Sequence, residues 1–133
     1  SITEASAVQA VILCSGKIRW ELVAERAKRG LEGKVAIVSL ERLYPLPTDD
    51  LAEELARYPH VTDVRFVQDE PLNQGSWPFM ALHLPAAIAE KMGGRELKMT
   101  PVARPESSSP SVGLLKVHQM QEKVLLDAAF QGI

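Results

Sequence analysis

The chain has 133 residues, 46% of them hydrophobic and 24% charged, with a formal net charge of −2. That length suits one domain around one core, and the charge balance offers no general attraction for nucleic acid or an anionic membrane. The single cysteine, Cys14, excludes an internal disulfide and a cysteine-rich zinc site, and no apolar run approaches the roughly 18 residues of a membrane span.

No signal-peptide pattern and no internal repeat are present, so a soluble intracellular domain is expected. Residues 1–7 are small and polar and read as a linker, with the domain proper over 8–133. Residues 8–14 (VQAVILC) are almost continuously apolar, as in a strand covered on both faces. Ser15, Gly16 and Lys17 make a sharp turn. Trp20, Val23, Ala24, Ala27 and Leu31 then recur at helical spacing, which predicts the buried face of a first helix, stopped by Gly30 and Gly33.

Residues 35–40 (VAIVSL) predict a second buried strand, and 41–47 (ERLYPLP) a stiff connection. Thr48 is the expected N-cap of the next helix, with Asp49 and Asp50 at the positive end of its dipole. Leu51, Ala52, Leu55 and Tyr58 form its apolar face, and Pro59 ends it.

A third strand opens at Val64 and turns polar at Gln68, Asp69 and Glu70 before Pro71 closes it. Asn73, Gln74 and Gly75 predict a tight turn. Ser76 is placed to cap a helix with Trp77 in its first turn. That helix runs over 79–92, and Pro85 is expected to kink or divide it. Residues 97–102 predict a fourth strand, at a sheet edge because of Pro101. Residues 104–113 (RPESSSPSVG), which contain the serine-biased stretch 107–111, read as a loop. Val117, Met120, Val124 and Ala128 predict the apolar face of a last helix.

Four strands alternating with helices predict a three-layer α/β/α fold with a mainly parallel sheet. The loops after the strands then share one rim, where ligands gather in such sheets. Asp69 and Glu70 are adjacent in a strand and point to opposite faces, so a shared-proton dyad is not expected; structural salt bridges are the plainer reading. Gly16 and Lys17 lack the rest of a phosphate loop, and no dinucleotide fingerprint follows any strand. His60, His83 and His118 share no ligand spacing, so no metal site is expected. Arg104, Lys116 and His118 could hold an anion such as a phosphate or carboxylate, or be ordinary surface charge. Trp77 could anchor an interface or pack in the core. The serines at 107–109 have no nucleophile-elbow pattern. No catalytic residue is assigned. The ligand or interface candidates are Asp69, Glu70, Asn73, Gln74, Trp77, Arg104, Lys116 and His118.

Five stretches in order, VILCSGK (11–17), ERLYPLP (41–47), VQDEPLNQGSW (67–77), RPESSSPSVG (104–113) and KVHQMQEKVLLDAAF (116–130), resemble the C-terminal domain of the thiamine-diphosphate-dependent first component of 2-oxoglutarate dehydrogenase. Ala103 departs from the glycine of the family's Gly-Arg-Pro turn. The resemblance implies a transketolase C-terminal-like domain with flavodoxin-like strand order. It places thiamine diphosphate and magnesium on other domains of the full enzyme and no cofactor on this one. The partners it implies are the remaining domains of the same chain, a homodimer partner and the succinyltransferase component, with no nucleic acid and no membrane. It implies a bacterial cytoplasmic or mitochondrial matrix location. The alternative is an effector-binding module for an anionic ligand such as acetyl-CoA. With the first and third strands side by side, the crevice would lie between 15–17 and 70–75.

Overall fold

A central strand of this chain is apolar on both faces, and the computed structural model shows why. It describes residues 4–41, 46–104 and 115–133, with the side chains of Leu115 and Lys116 left aside. After a single exposed 3-10 turn at Ala5–Ala7 come β1 (Ala10–Cys14), α1 (Ile18–Lys28), β2 (Val35–Ser39), α2 (Thr48–Ala56), β3 (Asp63–Pro71), α3 (Trp77–Lys91), β4 (Met99–Arg104) and α4 (Leu115–Ala129). The sheet is parallel throughout, in the order β2-β1-β3-β4. Strand residues alternate between two cores, as a period of two requires. Val11, Leu13, Val64 and Phe66 pack with Leu51 and Leu55 of α2 and with Met80, Leu84 and Ile88 of α3. Ile12, Cys14, Val35 and Val67 pack with Ile18 and Leu22 of α1 and with Leu125 and Ala129 of α4. The three-layer reading therefore holds, with β1 and β3 adjacent at the switch point.

Local expectations fared unevenly. Pro101 lies in edge strand β4, as its missing N–H demands. Pro85, by contrast, does not divide its helix: α3 runs unbroken from Trp77 to Lys91. Met80 and Leu84 before the proline and Ile88 after it are all fully buried, so packing holds both halves in line. Thr48 is not the cap of α2 but its first residue; Pro47 occupies the cap position, and no side chain caps it. Ser76 does stand at the cap position of α3, yet its side chain makes no cap bond.

The buried faces of α1 and α4 also differ from the predicted stripes. On α1 the buried residues are Ile18, Leu22 and Arg26, four apart, whereas Trp20 is 68% exposed. Arg26 belongs to the buried face because its guanidinium donates to the carbonyl of Val35, 3.0 Å away. On α4, Met120 and Val124 are exposed, and the helix docks through Leu125, Ala129 and the following Phe130. Arg65 fastens that end: it grips Asp63 and donates to the carbonyl of Ala129 at 2.9 Å.

Candidate functional site

Gln68 organises the rim where β3 passes into α3. It is 3% exposed, and its side-chain amide is fully engaged. Its Nε2 donates to the carbonyls of Pro71 (2.7 Å), Gln74 (2.8 Å) and Glu70 (3.2 Å), while its Oε1 accepts the backbone N–H of Trp77 at 2.9 Å. The N–H of Trp77, at the start of α3, is thus satisfied from inside the strand rather than by the Ser76 side chain. A buried amide with all its bonds made fixes a loop strongly, because any one left open costs about 1–3 kcal/mol. Gly75 completes the turn at φ +66°, and a Cβ there would stand 2.8 Å from Glu70 Oε1.

Ser76 faces the neighbouring loop instead, with its Oγ 3.4 Å from Ser15 Oγ. The loops after β1 and β3 do meet at the switch point. Trp77 is half-buried and its ring lies 5.9 Å from that of Phe66, so it packs onto the core rather than standing free. Asn73 and Gln74 are exposed at the tip of the turn.

Asp69 and Arg104 join the ends of β3 and β4. The guanidinium is nine-tenths buried and reaches Asp69 Oδ1 through both Nε and Nη2 at 2.7 Å. Asp69 is therefore a structural partner, and Arg104 commits Nε and Nη2 to it, while its Nη1 is buried and without a partner among the described residues. His118 is exposed on α4. The Lys116 side chain and residues 105–114 lie outside the described residues, and the grouping of Arg104, Lys116 and His118 lies there with them.

Two acidic residues that the sequence reading left out belong to this cluster. Burial pushes the Glu21 carboxyl above its ordinary value, Glu122 and Asp69 push it the same way, and Arg104 pulls it down. Glu21 of α1 and Glu122 of α4 face each other across the helix layer as like charges, and Glu21 Oε2 is buried with no hydrogen-bond partner among the described residues. Glu21 lies outside the five quoted stretches and Glu122 inside the last of them, and only the pairing of the helices brings the two together. Cys14, at the end of β1, has its thiol pushed up to about 11 by burial, which makes it a poor nucleophile at neutral pH.

A sizeable groove lies away from this switch point. It is an open groove of about 740 Å³ between the end of β2 and α2, floored by Ile37, Val38 and Leu51 and edged by Glu41, Asp50 and Glu53. Among the described residues, no group of three histidines, cysteines or carboxylates could hold a metal ion. The donors at the rim do not suit a magnesium diphosphate, since Asp69 is held by Arg104 and the Gln68 amide by backbone.

The family model for the 2-oxoglutarate dehydrogenase C-terminal domain matches residues 1–130. The 2-oxoglutarate dehydrogenase E1/E2 component of Corynebacterium glutamicum is 44% identical over 132 residues, covering 99% of this chain and 10% of that protein. The E1 component of Cupriavidus necator is 43% identical over 126 residues, covering 95% of this chain and 13% of that protein. Among solved structures, a split-gene transketolase described as an inactive beta4 tetramer superimposes with a TM-score of 0.58 at 18% identity, covering 97% of this chain and 40% of that one. At that identity the likeness concerns the fold alone, and it agrees with the three-layer α/β/α arrangement. The chain spans only 10% and 13% of the length of these two curated relatives.

Proposed function

This chain belongs to the family of 2-oxoglutarate dehydrogenase C-terminal domains, and from that premise we propose that it is the closing structural domain of a decarboxylating first component, without turnover of its own. The full enzyme would oxidatively decarboxylate 2-oxoglutarate and pass the succinyl group to a lipoyl arm of the succinyltransferase. Thiamine diphosphate and magnesium would sit on domains outside this chain. This domain would contribute to a homodimer and shape the entrance to the reaction centre. No helix among the described residues is long and apolar enough to cross a membrane, which accords with a cytoplasmic enzyme.

The observation that carries the reading is the commitment of the rim's polar groups to the fold. In a domain whose family membership covers residues 1–130, Gln68 holds backbone and Arg104 holds Asp69. These contacts position the loops. Isothermal titration of the chain with thiamine diphosphate and magnesium tests it. No heat of binding is expected, and tight binding would place the cofactor site here and overturn the reading.

A further inference from the structure

The two edges of the sheet are not alike. On β4, the edge carries Pro101, which offers no N–H to an incoming strand. On β2, the sequence is VAIVS, without proline, glycine or charge. Natural edges are usually blunted by such residues, so a bare one invites a partner.

Hydrogen-bond parity shows which groups are free. The N–H of Ala10 is bonded to the carbonyl of Lys34, and that of Leu40 to the carbonyl of Cys14. Even-numbered residues of β2 therefore face β1, and Val35, Ile37 and Ser39 turn their backbone groups outward. Val35 is already closed: its N–H goes to Leu31, and its carbonyl takes Arg26. Among the described residues, the amides and carbonyls of Ile37 and Ser39 meet no partner.

These two residues line the 740 Å³ groove, together with Val38 and Leu51. Among the described residues, its rim carries the carboxylates of Glu41, Asp50, Glu53 and Glu54 against the guanidinium of Arg19. Glu54 is shared with Arg57 at 3.6 Å. Arg19 Nε is buried and without an acceptor among the described residues.

We propose that the groove along β2 receives an added strand from a basic, extended partner segment, with Ile37 and Ser39 supplying the backbone bonds and the acidic rim selecting lysine or arginine. Alternate side chains of such a segment would meet the apolar floor and the carboxylates in turn, the general mode of strand addition at a sheet edge. A carbonyl of the same segment can take Arg19 Nε. A second copy of this chain is disfavoured as occupant, because it would bring two acidic rims together. The proposal rests on the edge and the groove, not on the family reading.

A blocked peptide of alternating valine and lysine is the probe, titrated against the 133-residue chain with amide hydrogen exchange as the readout. Exchange at Ile37 and Ser39 is expected to slow by about tenfold on binding, as for any amide gaining a protected bond. A peptide of the same charge with N-methylated backbone should leave those amides unprotected. The chain carrying Asp50→Lys and Glu53→Lys, two exposed positions, should bind more weakly while keeping its circular dichroism. Equal binding by the N-methylated peptide, or no binding at millimolar concentration, overturns the proposal. So does protection of Ile37 and Ser39 that rises with chain concentration when no peptide is present, which would make the occupant a second copy.

Discussion

At Gly75 the backbone sits in the left-handed region, and the space a side chain needs is already taken by the Glu70 and Gln68 side chains, 2.8 and 3.1 Å from an ideal Cβ. Gly75→Val is therefore expected to cost about 1–3 kcal/mol through backbone strain alone, with the contact adding to it. Denaturant unfolding measures this; a loss under about 0.5 kcal/mol, the size of ordinary surface changes, would contradict the account of the turn. Glu21 provides a pH test. Its carboxyl is raised in the folded state, chiefly by burial and then by Glu122. The folded chain then keeps a proton that the unfolded chain has released, so this group's contribution falls as pH rises from the ordinary value of 4.5 through the raised one. Glu21→Gln should flatten that decline and make the chain relatively more stable at neutral pH. A stability profile unchanged by the substitution would remove Glu21 from the cluster. The glycine turn and Asp69 could be named from sequence, because φ > 0 and adjacent carboxylates leave local signals. The role of Gln68 could not, since glutamine has no turn signature and its four bonds exist only once β3 and α3 are packed.

Among the elements, the helices show where periodicity misleads. Strand positions were legible because both faces are buried, which leaves an apolar run with no second interpretation. In α1, two stripes compete: Trp20, Ala24 and Ala27 on one side, Ile18 and Leu22 on the other. The second stripe is completed by Arg26, a residue that reads as solvent-facing until its bond to Val35 is seen. In α4, His118 and Gln121 obscure the true buried line, because among the described side chains the buried ones lie in its C-terminal half. Substitutions separate the two lines. Leu125→Ala, at 2% exposure, is expected to cost about 2–5 kcal/mol. Met120→Lys, at 62% exposure, should stay within about 0.5 kcal/mol in the isolated chain. Thermal or chemical unfolding of the pair decides, and comparable losses would put the predicted stripe back in the core.

For the molecule as a whole, the alternation of strands and helices sufficed to derive the layers, and the parallel order β2-β1-β3-β4 puts the C-terminal ends of all four strands on one rim. The motif series was specific enough to name the family, and the match over residues 1–130 agrees with it. The β2 groove was not legible, because it depends on which backbone groups an edge strand turns outward and on where α2 sets its carboxylates. The central claim is that this domain completes a reaction centre it does not contain. The most direct measurement is 2-oxoglutarate turnover by the Corynebacterium glutamicum relative with its matched 132 residues replaced by this chain, beside the same relative with those residues deleted and this chain alone. The account predicts turnover by the replacement, loss in the deletion and none from the chain by itself. Turnover by the isolated chain, or full activity of the deletion, would contradict it.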